Sequence, residues 1–453
     1  MGLTFMLPAD VHSHSNKPDA SRSFRHRLLI TLCLLLVLGA LGSLPMLEHW
    51  DTRRKVGQWR EKIEWLMAQE KAVPTTQAPH GVTPLPALLD TDKVLSPNHS
   101  PYYVAYQTEL ARGATLTVEP GVRIEFGPGA GLVSLGTLRV QGDDANPVQL
   151  APAMSGVEWA GIFVGGTSSR AHLTHAEISG AYYGIKAART RLDMEHCRFL
   201  NVREPYSGSH AHLVARNCEV VFTNFQARGN VNLFRFWKGS AEVVDCDIQC
   251  PPTDFKVDAF DVDRVESAHF LRTRIRGVTC PGADGIDVGV GSRRVRIEDC
   301  IITGFVDKGV SVGEKAHAQV ENTVVAYCAI GVGIKDEARA EIRGATFYKT
   351  NVGVECFEKM PGAGGGWARV EGSVFAHVRN KEVGVDAKSS LVVADCVSDK
   401  HLLEGKGNRL GIIRLIDPSR GRFEMASFSP RPAEGAALVE PQPRMRCGEV
   451  RTP

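Results

Sequence analysis

The sequence predicts an all-β solenoid, a rod of short parallel strands wound in coils. Three observations carry that reading. First, segments of the form Gly-apolar-x-apolar recur: "GIFV" at Gly161, "GIKA" at Gly184, "GIDV" at Gly285, "GVSV" at Gly309, "GVGI" at Gly331, "GVEC" at Gly353 and "GVDA" at Gly384. "LFRF" at Leu233 and "AFDV" at Ala259 fit the frame without the glycine, and "GSHA" at Gly208 is a weaker member. Most gaps are 22 to 26 residues, a period at which one supersecondary unit repeats and stacks on its neighbours. Second, a column of small residues runs between these segments: Ala176, Cys197, Cys218, Cys246, Thr273, Cys300, Thr323, Ala345, Ser373 and Cys396. Third, no strand-like run is followed by an amphipathic crossover helix, which argues against a doubly wound sheet. Two alternating strands per coil, joined by Gly- and Asn-rich turns, follow from the pattern.

The 453 residues include 45 glycines but only 7% aromatics, as expected of many tight turns. Formal net charge is +2, so no strong field points to nucleic acid, and none is expected as a partner. Residues 1–27 read as a polar tail. Residues 28–47, "LLITLCLLLVLGALGSLPML", form a run of 20 without a charge, the length of a membrane-spanning helix. That length favours an uncleaved anchor over a cleaved signal peptide. Lysines and arginines flank both sides, so charge does not orient the span. The layout of a short leader and one apolar run places the remainder outside the cytoplasm. Residues 48–72 space Val56, Trp59, Ile63 and Leu66 at helical intervals, a juxtamembrane helix. Residues 73–99 read as a Pro-rich linker, 100–410 as the solenoid of about a dozen coils, and 411–453 as a loose C-terminal extension. Stacking at ~4.8 Å gives a rod of roughly 55 Å, whose ends need caps.

Eleven cysteines in an exported chain suggest disulfides, but their register says otherwise. Cys197, Cys218, Cys246, Cys300 and Cys396 interchange with Ala, Thr and Ser in one inward column, the behaviour of a small buried residue. Cys250 and Cys280, just past corresponding strands, are the candidate disulfide. Zinc is disfavoured, since no Cys-x-x-Cys or His-x-x-x-His pair occurs.

The repeat also explains why "DAFDVD" (Asp258 to Asp263) is followed by "DGID" (Asp284 to Asp287). Residues between the inward apolar pair face outward. The stack therefore predicts an outward column of Phe163, Lys186, His210, Arg235, Asp261, Asp287, Ser311, Gly333, Glu355 and Asp386. The turn position beside it reads Asn232, Asp258, Asp284, Lys308. The next outward position reads His212, Trp237, Asp263, Gly289, Gly313, Lys335. Five carboxylates, Asp258, Asp261, Asp263, Asp284 and Asp287, thus converge between Arg235 and Lys308. Carboxylates this close repel and raise one another's pKa. The residues themselves leave open a Ca²⁺ ion, a shared proton or the flanking cations as the compensation.

The opening coils, "GATLTVEPGVRIEFGPGAG" at 113–131, and the "GIDV"-type coils resemble the right-handed parallel β-helix superfamily. That group includes pectate lyases, polygalacturonases, alginate epimerases and uncharacterised envelope proteins. The resemblance covers about two thirds of the chain. Neither the Asp-Pro-His-Asp signature of the epimerases nor the Asn-Thr-Asp…Asp-Asp pattern of the polygalacturonases occurs. The resemblance implies binding or processing of an acidic polysaccharide in the cell envelope, with three readings open. In a lyase, Ca²⁺ on the aspartates neutralises a uronate carboxylate while Arg235 or Lys308 removes the adjacent proton. In a hydrolase, two carboxylates such as Asp261 and Asp287 act together. In a scaffold, the acids form a structural ladder on a protein that binds a polysaccharide or an envelope protein. Trp237, beside the acids, suits stacking on a sugar ring, with His210 and His212 as further substrate contacts.

Overall fold

The computed structural model describes residues 80–223, 225, 229–277 and 282–430. The expected tail (1–27), membrane span (28–47) and juxtamembrane helix (48–72) lie outside the described residues, as does Cys280. Among the described residues, no helix is long and apolar enough to cross a membrane.

A coil is seen plainly at Val257–Asp263, Ser267–Leu271 and Arg274–Arg276. Each strand pairs in parallel with its counterpart one coil on, at Ile286–Gly289, Val295–Glu298 and Ile301–Thr303. A coil therefore has three strands, and the rod three faces, rather than the two strands expected from the repeat. The third faces make one 16-stranded sheet. The first and second faces join into a 24-stranded sheet, because Glu204–Arg216 and Val231–Val244 run through the corner between them unbroken.

The third strand was hidden because the corner before it is a single residue. His175, His196, Asn217, Asp245, Arg272, Asp299, Asn322 and Asp395 all sit there with φ between 44° and 55°. Asn and Asp are among the residues that enter this left-handed region most readily. One such residue turns the chain without the Gly-Pro punctuation that marks a turn in sequence.

The residue after that bend is the small column, and it is buried as expected. It also carries hydrogen bonds. The Cys218 thiol donates to the Arg216 carbonyl (3.3 Å), and the Cys218 N–H donates to Cys246 Sγ (3.4 Å). The Cys246 N–H donates to Thr273 Oγ1 (3.4 Å), the Cys300 N–H to Thr323 Oγ1 (3.3 Å), and the Ser373 N–H to Cys396 Sγ (3.4 Å). Cys, Thr and Ser interchange because each both donates and accepts.

Inside the rod, aromatic rings stack from coil to coil, as in Phe234 on Phe260 and Phe347 on Phe375, each at 5.0 Å. Cys250 is buried too. Winding begins at Thr83–Pro84, which pairs with Tyr102–Val104, so the first coil lies inside the segment expected as linker. At the other end, Arg409–Asp417 continues from Val397–Ser398 and returns antiparallel as Arg422–Pro430. This hairpin lays Ile413 and Phe423 over the outer side of the third face, on Tyr348, Val374 and Val397.

Candidate functional site

The first face brings the Asp-x-x-Asp copies together. Arg235, Asp261, Asp287, Ser311, Gly333 and Glu355 are consecutive partners across six strands. Trp237, Asp263 and Gly289 form the next column. Two ends of the expected column are corrected. Lys186 pairs with Ser207, which pairs with Arg235, so His210 is not a member; it sits exposed at a corner with φ 52°. His212 lies on the second face opposite Arg191 and Ser240, hydrogen-bonded to Ser240, and not beside Trp237. Glu355 pairs with Gly384, so Asp386 falls outside as well. The glycine was the misleading signal. In most coils it precedes the first inward residue, but Gly208 and Gly384 occupy later positions. At 208 the reason is space, since a Cβ there would lie 2.1 Å from the Tyr206 hydroxyl.

Facing outward does not leave the acids in water. Asp258 is 3% exposed and Asp284 4%, and Asp261 and Asp263 are also buried. Their oxygens are used locally. Asp258 Oδ1 accepts the Asp284 N–H (2.9 Å), and Asp284 Oδ1 accepts the Lys308 N–H (2.9 Å), one coil to the next. Asp261 Oδ2 accepts from Asn232 Nδ2 (2.7 Å) and from Arg235 Nε (3.3 Å). Lys256 Nζ lies 2.8 Å from Asp258 Oδ2, and Lys308 Nζ lies 3.3 Å from Asp284 Oδ1 and bonds Asp307. Lys335 Nζ bonds Ser311 and reaches within 3.9 Å of Asp287 Oδ1. Of the three compensations left open by the sequence, this geometry displays the flanking cations, with Lys256 and Lys335 added to Arg235 and Lys308.

Two glycines in the columns make room for this. A Cβ on Gly333 would lie 2.7 Å from Lys308 Cδ, and one on Gly313 would lie 3.0 Å from Lys335 Cε. The aliphatic stems of both lysines fill those gaps, which is how two ammonium groups come to be almost fully buried. Sequence columns missed Lys256 and Asp307, because both arrive on the connections between coils. Lys335 stood in a neighbouring column, but nothing in the pattern shows that it reaches back two coils.

Protonation across the cluster is split. Burial, with the Asp287 and Asp284 charges and against Lys256, pushes the Asp258 carboxyl up to about 8. Burial and the Asp287 charge push Asp284 up to about 6. Asp287 moves the other way: against the cost of burial, Lys335, Lys256 and the Ser311 hydroxyl hold it below the usual carboxylate range. Lys308 is raised; burial opposes its charge, but Asp284 and Asp307 outweigh it. The cluster thus pulls its carboxyls apart, pushing Asp258 and Asp284 towards the neutral form while holding Asp287 anionic.

Asp258, Asp261, Asp284 and Asp287 each face an ammonium or guanidinium group, and among the described residues no group of three or more His, Cys, Asp or Glu side chains is placed to hold a metal. What meets solvent is the rim. The Arg235 side chain is 30% exposed, Lys256 38% and Asp287 28%. Trp237 is half-buried, with the Arg264 guanidinium 5.0 Å from its ring centre.

Residues 160–362 match the family described as "Right handed beta helix region". The three-sided parallel coils described above are those of a right-handed β-helix, in keeping with that match. Among curated proteins, this β-helix is similar to Protein bark beetle of Drosophila melanogaster, 36% identical over 168 residues. That match covers 31% of this chain and 5% of the relative, so the chain spans a small part of it. Among solved structures it resembles the catalytic domain of a GH87 alpha-1,3-glucanase (10% identity, TM-score 0.43, 65% of this chain and 64% of that one). It also resembles an alginate lyase from Paenibacillus sp. (12%, 0.28, 60% and 93%) and the A-module of an Azotobacter vinelandii mannuronan C-5 epimerase (13%, 0.32, 74% and 95%). At these identities the likeness is one of fold.

Proposed function

We propose that the first face of this β-helix binds an acidic polysaccharide, with Arg235, Lys256 and Trp237 as the contacting groups. The observation that supports this is the division of labour in the cluster. Asp258, Asp261 and Asp284 are buried and committed to cations, Asp287 faces Lys335 at the rim, and two of the cations, Arg235 and Lys256, stand at the rim with an indole. In this reading Asp258, Asp261, Asp284 and Asp287 are positioning residues that hold Arg235 and the lysines in a fixed array. The arginine fork suits a uronate carboxylate, and the indole face suits the C–H side of the same sugar. A span at 28–47 would tether the domain at the outer side of a membrane, where such polymers occur. An envelope protein with an acidic surface is the alternative partner.

A processing reading draws on the split protonation, because a neutral Asp258 near an anionic Asp287 is an acid–base pair in form. The test covers both. The full chain is titrated calorimetrically with oligogalacturonate and oligomannuronate, and the same mixtures are followed for unsaturated products by ultraviolet absorbance and for new reducing ends. Binding that weakens ~10-fold in Arg235→Ala and in Trp237→Ala, as expected for one charge-assisted or stacking contact, supports the binding reading. Turnover that vanishes in Asp287→Asn replaces it with the processing one. Binding unchanged in both rim variants would discard the first face as the site.

A further inference from the structure

A second cluster lies where the third face turns back towards the first, near the C-terminal end. The corner residues of successive coils are Gly304, Tyr327, Lys349 and His377, each N–H donating to a carbonyl or, for His377, a carboxylate of the next coil (Gly304 to Ala326 O, Tyr327 to Tyr348 O, Lys349 to Ala376 O, His377 to Asp399). Tyr327, Lys349 and His377 all hold φ between 51° and 58°, a region in which a bulky side chain is unusual and costs backbone energy.

The side chains form a continuous strip. Tyr327 meets Tyr348 edge-on at 5.5 Å, and Tyr348 meets His377 at 5.7 Å. Lys349 Nζ lies 5.3 Å from the Tyr348 ring centre and 5.9 Å from that of Tyr327. Tyr327 is 42% exposed. The strip runs into a cleft of about 380 Å³ between His377, Val378, Asp399 and Lys400 on one side and Ile412 and Ile413 of the hairpin on the other. That is within the range of small-ligand sites. Asp399 grips His377 twice, accepting its backbone N–H (2.9 Å) and standing 2.8 Å from ring Nδ1. These two contacts hold the imidazole in one orientation, with Nε2 on its far edge. Half of the His377 side chain is exposed.

We propose that this strip and cleft are a binding subsite for an anionic sugar residue, separate from the first-face cluster. The apolar rings and Ile412 offer faces for sugar C–H groups. His377 and the ammonium groups of Lys349 and Lys400 supply donors for a carboxylate or sulfate, against one carboxylate, Asp399, that is turned inward to the histidine. Lys400 is anchored on the Asn380 carbonyl (3.1 Å), which fixes its charge at the cleft. The subsite shares its class of ligand with the first-face reading but is argued from its own residues, and the test separates the two.

The probes are tetragalacturonate and, as the neutral control, maltotetraose, titrated into the full chain by calorimetry. Tyr327→Asn, Lys349→Asn and His377→Asn are the variants, since Asn tolerates the left-handed backbone they inherit; circular dichroism checks their fold. In an Arg235→Ala, Trp237→Ala background, which silences the first face, tetragalacturonate binding that persists and then falls 10-fold or more on adding Tyr327→Asn or His377→Asn is the expected result. Affinity unchanged in all three corner variants overturns the subsite. So does failure of tetragalacturonate to bind, and equal affinity for maltotetraose overturns the anionic assignment.

Discussion

Two columns of stacked polar residues run along this rod, and they meet the same demand by different means. At the second corner, Cys218, Cys246, Thr273, Cys300 and Thr323 stack in the core; each side chain donates to a carbonyl two residues back, and Cys246, Thr273 and Thr323 also accept an N–H from the previous coil. On the first face, Asp258 and Asp284 stack in a similar way, accepting the N–H of the coil that follows. A thiol or hydroxyl leaves no charge behind, so the first column extends over most of the rod. A carboxylate brings a charge with each step. The second column therefore stops after two aspartates, is interleaved with Lys256 and Lys308, and keeps a proton. A neutral ladder can be carried from coil to coil by Cys, Thr or Ser alone, whereas a charged one needs partners from outside the repeat.

The sharpest way to break this contrast is to remove one partner. Lys308→Met keeps the stem over Gly333 but leaves Asp284 and Asp307 uncompensated; a loss of about 3–5 kcal/mol in urea unfolding is expected for a broken buried pair. A loss below about 1 kcal/mol would show that the charges are not coupled as described. Proton linkage gives a comparable effect. The folded pKa values of Asp258 (about 8) and Asp284 (about 6) lie above those of unfolded aspartate. Between those limits the folded chain holds more protons than the unfolded one, so stability present at low pH is lost as pH rises through this window. A fall of about 5 kcal/mol from about pH 5 to about pH 8 follows from these values at about 1.4 kcal/mol per pKa unit, and Asp258→Asn should flatten its upper part. A stability that rises across that window contradicts the protonated Asp258.

Gly333→Ala presses a methyl against the Lys308 stem and should cost about 1–2 kcal/mol. In the Lys308→Ala background the same change should cost nearly nothing, and simple additivity would refute the contact. The smallest effects belong to the neutral ladder. Cys246→Ala should lose about 1 kcal/mol and Cys246→Ser less, because the hydroxyl restores both hydrogen bonds. Equal losses from the two would reduce that column to mere packing.

These differences also mark what the sequence can disclose. The pairing of Asp261 with Asp287, and of Trp237 with Asp263, was legible because inward apolar residues fix the register of a strand, and one register places every outward residue. The frame breaks at His210, His212 and Asp386, because the glycine there does not start a strand: Gly208 clears space for Tyr206 and Gly384 fills an outward position opposite Glu355. The burial of the aspartates was not legible. Alternation tells which way a side chain points, but not what the connections between coils lay over it, and Lys256 and Asp307 come from those connections. The third strand of each coil escaped notice for a related reason, since a single bent residue such as Asn217 or Asp245 leaves no composition signal.

In most solenoids each repeat touches only its neighbours, so the rod can open coil by coil from its ends. Lys335 departs from that rule. Its stem crosses Gly313, its ammonium bonds Ser311 on the adjacent coil, and its charge reaches Asp287 on the coil beyond. A side chain that staples three consecutive turns ties their loss into one event. Pulled from its ends, this rod would then yield in single-coil steps near the hairpin and release the turns around Asp287 together, as one longer step.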